Sequence, residues 1–140
     1  DRVVLGTVCV EQPEVLAEAV ACYREKIVAG IDAKDGLLAV RGWTQIAEKD
    51  AYSFGCEAHS LGVTDAVFTD IGRDGALTGV NVEKTVEMGK TGLRVIASGG
   101  VSTIDDLRAL ADHNVYGAIL GRAIYTGSVD LAAAIEELQW

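Results

Sequence analysis

Acidic and hydroxyl side chains directly follow two apolar runs of the sequence. Asp32 comes after residues 27–31, and Thr69 closes the run at residues 66–69. A carboxylic acid at the end of a buried strand projects into the mouth of the sheet, where it can donate or accept a proton. We therefore predict acid–base chemistry at Asp32, with a turn or helix cap as the alternative role.

The segment that follows the second run is rich in polar groups. Residues 69–75 contain a hydroxyl, two carboxylates and a guanidinium, which is dense for a plain connection. Asp74 and Gly75 by themselves would be only a weak turn signal. Their position after a strand end places them in the same predicted site as Asp32.

Glycines follow the next two apolar runs, as Gly99 with Gly100 and as Gly121 before Arg122. Glycine lets an anion approach the backbone closely, and the amide N–H groups of such loops can bind it. Residues 123–125 are long enough for one helical turn, and a short extra helix is part of many barrel phosphate sites. We predict a phosphate site here; the alternative is that these glycines only permit tight turns.

Trp43 lies in a long loop between polar neighbours. A buried core position is the default expectation for a tryptophan. The sharper expectation is a lid residue that stacks on a planar base. The residues alone leave both roles open.

The elements that must position these residues are short and regularly spaced. Five continuous apolar runs predict strands at residues 3–6, 27–31, 66–69, 95–97 and 118–120, and residues 37–40 predict an extra strand or hairpin arm. Helical patterns fall at about residues 13–23, 51–61, 82–92, 102–112 and 131–138. Strands that alternate with helices indicate an α/β fold with a parallel sheet, and residues 1–140 form a single predicted domain.

Two architectures fit five parallel units: an open doubly wound sheet and part of a (βα)8 barrel. The sequence contains neither the pattern G-x-G-x-x-G nor a Walker A motif, which a nucleotide-binding open sheet would carry. Chemical groups gathered at strand ends are typical of barrels. The pattern therefore favours an incomplete barrel.

Composition argues against several classes of function. A net charge of −9 without any Lys/Arg cluster disfavours nucleic-acid binding. No run approaches the roughly 20 apolar residues of a membrane span. The three cysteines show no C-x-x-C spacing. Neither a metal site nor a disulfide framework is predicted, and reduced thiols fit a cytoplasmic protein.

Five segments, in one order, carry a resemblance to a known family. They are residues 30–36, 40–43, 69–81, 96–101 and 121–125. Together they look like the C-terminal part of the phosphoribosylformimino-aminoimidazole carboxamide ribotide isomerase family of histidine biosynthesis. The resemblance extends over essentially the whole chain. It implies a partial (βα)8 (TIM) barrel made of strands four to eight.

The resemblance implies an Amadori rearrangement of an aminoaldose to an aminoketose, without metal or organic cofactor. A carboxylic acid opens the ribose ring, and a carboxylate base removes the C2 proton. By motif, Asp32 takes the acid role and Thr69 lies beside the reacting sugar. Asp74 and Gly75 match a position near the substrate and its phosphate, and Trp43 matches a loop residue that packs on the aminoimidazole.

The same resemblance implies a substrate with a phosphate at each end. One phosphate site matches Gly99, Gly100, Gly121 and Arg122, and part of the opposite site matches Gly6 and Thr7. The second catalytic aspartate and the rest of the second phosphate site belong to strands that precede this segment in the family. We therefore expect a fragment of a longer enzyme, or a chain that pairs with an N-terminal half-barrel or a second copy. The start at Asp1 rather than Met agrees with this expectation.

Three alternatives stay open beside the isomerase. The cyclase subunit of imidazole glycerol phosphate synthase resembles this half-barrel and its phosphate motifs, but residues 41–43 and 68–71 look like the isomerase. A dual-substrate isomerase that also accepts phosphoribosylanthranilate differs mainly in the preceding half. A non-enzymatic, phosphate-binding half-barrel would explain the absence of one catalytic residue.

Overall fold

Strands and helices alternate along the chain in the computed structural model, which describes residues 1–76 and 78–139. The strands are β1 (Val3–Leu5), β2 (Ile27–Lys34), β3 (Leu37–Val40), β4 (Gln45–Asp50), β5 (Asp65–Asp70), β6 (Arg94–Ser98) and β7 (Gly117–Ala118). The helices are α1 (Thr7–Glu11), α2 (Pro13–Tyr23), α3 (Ala51–Ser60), α4 (Val82–Gly89), α5 (Ile104–Asp112), α6 (Arg122–Tyr125) and α7 (Leu131–Leu138). Leu77, which belongs to one of the motifs above, and Trp140 lie outside the described residues.

Five strands form a parallel sheet in the order β1–β2–β5–β6–β7. The longest ladder joins β2 to β5, from the pair Val28 and Asp65 to the pair Ala33 and Asp70. Because all five strands run the same way, their carboxyl ends meet at one edge of the sheet. The predicted α/β fold with a parallel sheet is confirmed.

A β-hairpin extends the sheet beyond the end of β2. Asp35 and Gly36 form its turn with φ values of 52° and 86°, which is the left-handed backbone that Asp-Gly favours in tight hairpins. The predicted arm at residues 37–40 is β3, which pairs antiparallel with β2 and with β4. Strand β4 was not predicted, because its sequence is polar and mostly exposed and its partner β3 supplies the pairing.

Helices cover one face of the sheet. The alternate residues Ile27, Ala29, Ile31 and Ala33 of β2 pack with the inner sides of α2 and α3 in one core cluster. A second cluster lies under α5, α6 and α7. The other residues of β2, Asp32 among them, point to the opposite face, where the site is built.

Helix α1 was not predicted, because it is a single short turn that begins where a strand was expected to end. The first strand was predicted to reach Gly6, but Gly6 is the N-cap of α1, with φ −99° and ψ −111°. The turn ends at Gln12, directly before Pro13 opens α2. This helix places Thr7 and Glu11 beside the loop between β3 and β4, where both contact Arg41.

Two half-exposed arginines and a buried aspartate tie the amino ends of the strands together. The side chain of Asp65 is fully buried and accepts hydrogen bonds from Arg94 Nε at 2.6 Å and from Arg2 at 2.9 Å. Arg94 also lies over the ring of Tyr116, 4.7 Å from its centre. These contacts lie at the end of the sheet opposite the candidate site, where barrels keep their stabilising interactions.

Candidate functional site

A row of polar side chains crosses the carboxyl ends of three adjacent strands. Asp32 pairs in register with Thr69, and Thr69 pairs in register with Ser98. Residues in register on parallel strands face the same side, about 5 Å apart. Thr69 is only 6% exposed, whereas Asp32 and Ser98 are half-buried. Ser98 was not predicted as a site residue, although its position at a strand end before two glycines is the signal that could have found it.

A cavity of about 210 Å³ lies at the ends of β6 and β7. Its lining includes six of the predicted site residues, Asp74, Gly75, Gly99, Gly100, Gly121 and Arg122, together with Ser98. Gly99 and Gly100 both have φ values of 85°, which β-carbon-bearing residues rarely adopt. The backbone of these two glycines therefore forms the wall of the cavity.

The amide groups of this wall are available to a ligand. Among the described residues, none accepts a hydrogen bond from the backbone N–H of Gly99, Gly100 or Gly121. Several such N–H groups around one concave surface form a site for an oxyanion, because each N–H carries partial positive charge. The cavity can thus hold a phosphate group without a cluster of basic side chains.

Arg122 connects the cavity to the loop that carries Asp74. Its guanidinium donates to the carbonyl oxygen of Gly75 at 2.9 Å, so the side chain holds this loop beside the last strand. Asp74 itself is exposed at the rim. Arg122 therefore contributes to the predicted site in two ways. It lines the cavity, and its side chain holds the loop that carries Asp74 and Gly75.

The loop after β5 is fixed by its own polar residues. Asp70 accepts hydrogen bonds from the backbone N–H of Gly72 at 3.1 Å and from the Asn81 side chain at 2.8 Å. Arg73 donates to the carbonyl oxygen of Gly79 at 3.1 Å. Asp70 and Arg73 thus account for part of the polar density seen in the sequence, and their role is to shape the loop.

Trp43 lies directly above the polar row. Its indole Nε1–H donates to Asp32 Oδ2 at 2.9 Å, and the residue is 44% exposed. The default expectation of a buried core position is therefore wrong. A loop residue poised over Asp32 agrees with the geometry of a lid.

Gly6 and Thr7 lie on the other side of Asp32. A Cβ built on Gly30, the residue two before Asp32 on β2, would lie 3.3 Å from the Gly6 Cα. Thr7 Oγ1 accepts from the backbone N–H of Arg41 at 2.8 Å. These residues do not line the glycine cavity. The structure thus separates the two predicted phosphate positions and places Asp32 and Thr69 between them.

A second cavity of about 220 Å³ lies on the helix-covered side of the sheet, between α3 and α4. Phe68 and Met88 are part of its lining, and none of the predicted site residues lines it. Because the polar row faces the opposite side, this cavity is separate from the candidate site.

Cys9 is a buried structural residue. Burial raises the pKa of its thiol to about 11, and its Sγ donates to the carbonyl oxygen of Leu5 at 3.2 Å. A thiol with this pKa stays protonated near neutral pH and is a poor nucleophile.

Within the described residues, no group of three or more His, Cys, Asp or Glu side chains is placed to bind a metal ion. No helix there is long and apolar enough to cross a membrane.

Comparison with known proteins identifies the family. The family model described as "Histidine biosynthesis protein" matches residues 1–130, which is most of the chain. The chain belongs to the histidine biosynthesis protein family. Its sheet is accordingly part of a TIM barrel, and the predicted partial barrel is confirmed.

Relatives of this family member are named 1-(5-phosphoribosyl)-5-((5-phosphoribosylamino)methylideneamino)imidazole-4-carboxamide isomerase. The protein from Moorella thermoacetica is 51% identical over 138 residues, which cover 96% of this chain. Those from Desulfitobacterium hafniense (strain Y51) and Bacillus cereus (strain B4264) are 48% and 44% identical over 96% and 97% of the chain. The chain spans 57% of the length of each of these three relatives and corresponds to their C-terminal part.

Proposed function

We propose that this chain forms the C-terminal part of an aldose–ketose isomerase of histidine biosynthesis. The observation that carries the proposal is the row of Asp32, Thr69 and Ser98 beside a cavity whose wall includes backbone amides that have no acceptor among the described residues. A row of this kind offers a proton-transfer group next to an oxyanion site. The isomerisation of a phosphorylated sugar requires both groups. The names of the relatives support the same reaction.

In the proposed reaction, Asp32 acts as the acid of an Amadori rearrangement. A proton from its carboxyl group passes to the ring oxygen of the ribose as the bond between that oxygen and C1 breaks, which leaves an iminium ion. A carboxylate base then removes the C2 proton, and the electron pair of that C–H bond moves to form an enolamine. Protonation at C1 and loss of the C2 hydroxyl proton yield the aminoketose. Thr69, between Asp32 and Ser98 in the row, would contact the reacting sugar.

The substrate would bind across the strand ends with one phosphate at each side. The glycine cavity would hold one phosphate, and Gly6 and Thr7 would contribute to the other position. Trp43 would pack on the aminoimidazole, and Asp74 and Gly75 would lie near the first phosphate. Two phosphate positions with a proton-transfer group between them fit a bisphosphorylated substrate, which is the substrate class that the relatives' name describes.

The base and the rest of the second phosphate site would come from the other part of the barrel. The chain covers 57% of the length of its Moorella relative. The sheet face opposite the helices leaves Val4 54% and Ile119 46% exposed. An apolar face of this kind is the surface that closing a barrel would cover. The partner is thus an N-terminal half-barrel or, failing that, a second copy of this chain.

The proposal can be tested in a completed barrel, in which this chain follows the N-terminal part of the Moorella relative. Asp32→Asn should lower kcat for the aminoaldose by about a hundredfold or more, because a general acid is lost while the fold is kept. Asp35→Asn is the matched control: it removes a carboxylate three residues away, in a hairpin turn whose left-handed backbone asparagine also tolerates.

Near-normal turnover of the Asp32→Asn variant would refute the acid role. A native completed barrel that cyclises its ligand instead of isomerising it would favour the cyclase subunit. Turnover of phosphoribosylanthranilate in the same assay would identify a dual-substrate isomerase. Phosphate binding without any turnover would favour the remaining alternative, a non-enzymatic half-barrel that only binds phosphate. A cytoplasmic location remains a prediction from the sequence.

A further inference from the structure

The loop that carries Trp43 has an unusual backbone. Arg41, Gly42 and Trp43 have φ values of 53°, 63° and 66°, so three consecutive residues adopt the left-handed region. Only glycine does so without cost, and two of the three carry a β-carbon. A backbone of this kind persists only when surrounding contacts hold it in place.

In the part of the chain that the structure describes, three side-chain hydrogen bonds tie this loop to other elements, and two of them reach helix α1. The first is the bond from the Trp43 indole to Asp32 described above. The backbone N–H of Arg41 donates to Thr7 Oγ1 at 2.8 Å, and its Nε donates to Glu11 Oε1 at 2.7 Å. Thr7 and Glu11 stand one helical turn apart on the same side of α1. The backbone and the side chain of Arg41 are therefore both bound to helix α1.

We propose that Glu11 is a positioning residue that latches the Trp43 loop over Asp32 by binding the Arg41 guanidinium. The inference rests on the proposed function, because it assigns the latch to substrate binding. Thr7 holds only the backbone of the loop. Glu11 supplies the charge-assisted bond that fixes the Arg41 side chain and stops the left-handed segment from relaxing.

Electrostatics agree with a formed ion pair. The hydrogen bond from Arg41 to Glu11, reinforced by the negative charge of that carboxylate, raises the pKa of Arg41. Both side chains are partly exposed, at 62% and 36%. An exposed pair of this kind contributes modestly, so loss of Glu11 should change the docked population of the loop by about two- to fivefold.

A latch that presents Trp43 before the substrate arrives would affect binding more than chemistry. The docked indole provides a preformed surface for the aminoimidazole, which reduces the ordering cost of binding. Asp32, the proposed acid, belongs to β2 and not to the loop, so its backbone position does not depend on the latch. Removal of Glu11 should therefore raise KM and leave kcat nearly unchanged.

The loop can be observed directly by fluorescence of this chain. Its two tryptophans are Trp43 and Trp140, so Trp140→Phe leaves the lid indole as the only tryptophan, which can be excited apart from the four tyrosines. In that background, Glu11→Ala should increase quenching of Trp43 by acrylamide, because the undocked indole is more accessible. Glu14→Ala is the matched control, since it removes an exposed carboxylate from the neighbouring helix α2. It should leave the quenching unchanged.

An exchange of charges separates the latch from a general effect on α1. Glu11→Arg should loosen the loop as Glu11→Ala does. Adding Arg41→Glu re-forms the pair with opposite polarity and should return quenching towards the native value. Failure of this rescue, or quenching unaffected by Glu11→Ala, would overturn the latch.

The completed barrel then tests what the latch does. Glu11→Ala should raise KM by about two- to fivefold, as expected from an exposed pair, and keep kcat nearly unchanged. Unchanged KM together with increased quenching would overturn the positioning role. A native completed barrel without isomerase activity would instead refute the proposed function, while the quenching and rescue results would still decide the latch.

Discussion

Gly100 has a φ of 85°, and a Cβ built on it would lie 2.5 Å from the carbonyl oxygen of Gly79 and 2.9 Å from the Arg73 Cβ. No side chain fits there unless one of the two loops moves. Since Gly79 belongs to the loop that follows β5, the glycine wall and that loop are packed backbone against backbone. A side chain at position 100 would therefore displace one of two loops, and both loops contribute residues to the lining of the cavity.

Gly100→Ala should weaken phosphate binding with little effect on the chemical step. In the completed barrel we expect KM to rise about tenfold or more and kcat to change far less, because the lost contacts act equally on the ground and transition states. Gly127→Ala is the matched control. Its φ of 73° imposes the same backbone strain, but a Cβ there meets nothing within 4 Å. An unchanged KM for Gly100→Ala would refute the phosphate assignment.

At the scale of elements, helix α5 anchors the far end of the glycine wall. Asp106 Oδ2 accepts hydrogen bonds from the backbone N–H groups of Ser102 and Thr103, at 2.9 and 3.0 Å, and from the Ser102 hydroxyl. Thr103 in turn accepts from the backbone N–H of Asp106, which completes a capping box. The cap therefore fixes the segment that directly follows Gly100.

Asp106→Asn should destabilise the protein in a pH-dependent way. Burial raises the pKa of Asp106, but the hydrogen bonds from Ser102 and Thr103 outweigh it and the net shift is downward. A lowered pKa stabilises the fold above the unfolded value of about 3.9, and this contribution is lost as pH falls through the folded pKa. We expect a loss of about 1 kcal/mol in the free energy of unfolding at pH 7.

Urea unfolding at pH 7 and at about pH 3 measures this difference. It should shrink at the lower pH, because the unfolded chain then binds a proton at Asp106 and the advantage of the charged carboxylate declines. Asp112→Asn, an exposed substitution at the last residue of α5, is the control and should have little effect at either pH. An equal loss at both pH values would contradict the proposed charge-dependent cap.

At the scale of the whole molecule, the parallel sheet ends in two edges of different length. Strand β1 pairs with β2 and strand β7 with β6, and each has one neighbour among the described strands. Val3, Val4 and Ile119 at these edges are 55%, 54% and 46% exposed. Apolar strands with a free side favour pairing with another chain.

The chain by itself should therefore self-associate and lack isomerase activity. Sedimentation velocity at micromolar concentration should detect dimers or larger species, and Val4→Lys should reduce them by placing a charge on the uncovered face. The N-terminal part of the Moorella relative, added as a separate chain, should replace self-association with a one-to-one complex that isomerises the aminoaldose. A monomer with measurable turnover would contradict both the two-part barrel and the two-carboxylate mechanism.

The sequence by itself determined the parallel α/β fold, because continuous apolar runs and helical periods are local properties of the chain. It also predicted which strand ends carry the candidate site, since Asp32, Thr69 and the glycines after β6 and β7 lie at the ends of those runs. Strand β4 and helix α1 escaped prediction for the same reason: their own residues carry little periodic signal, and neighbours stabilise them.

Only the tertiary structure decided how the site residues relate in space. The register between strands places Ser98 beside Thr69, a pairing that residues 29 positions apart cannot reveal in sequence. The fold of the hairpin turns Trp43 onto Asp32 and brings Arg41 to Glu11, 30 residues away. Contacts between distant segments depend on how the elements pack, so the hydrogen bonds of Trp43 and Arg41 could be found only in the folded chain, whereas the strand ends can be predicted from the sequence.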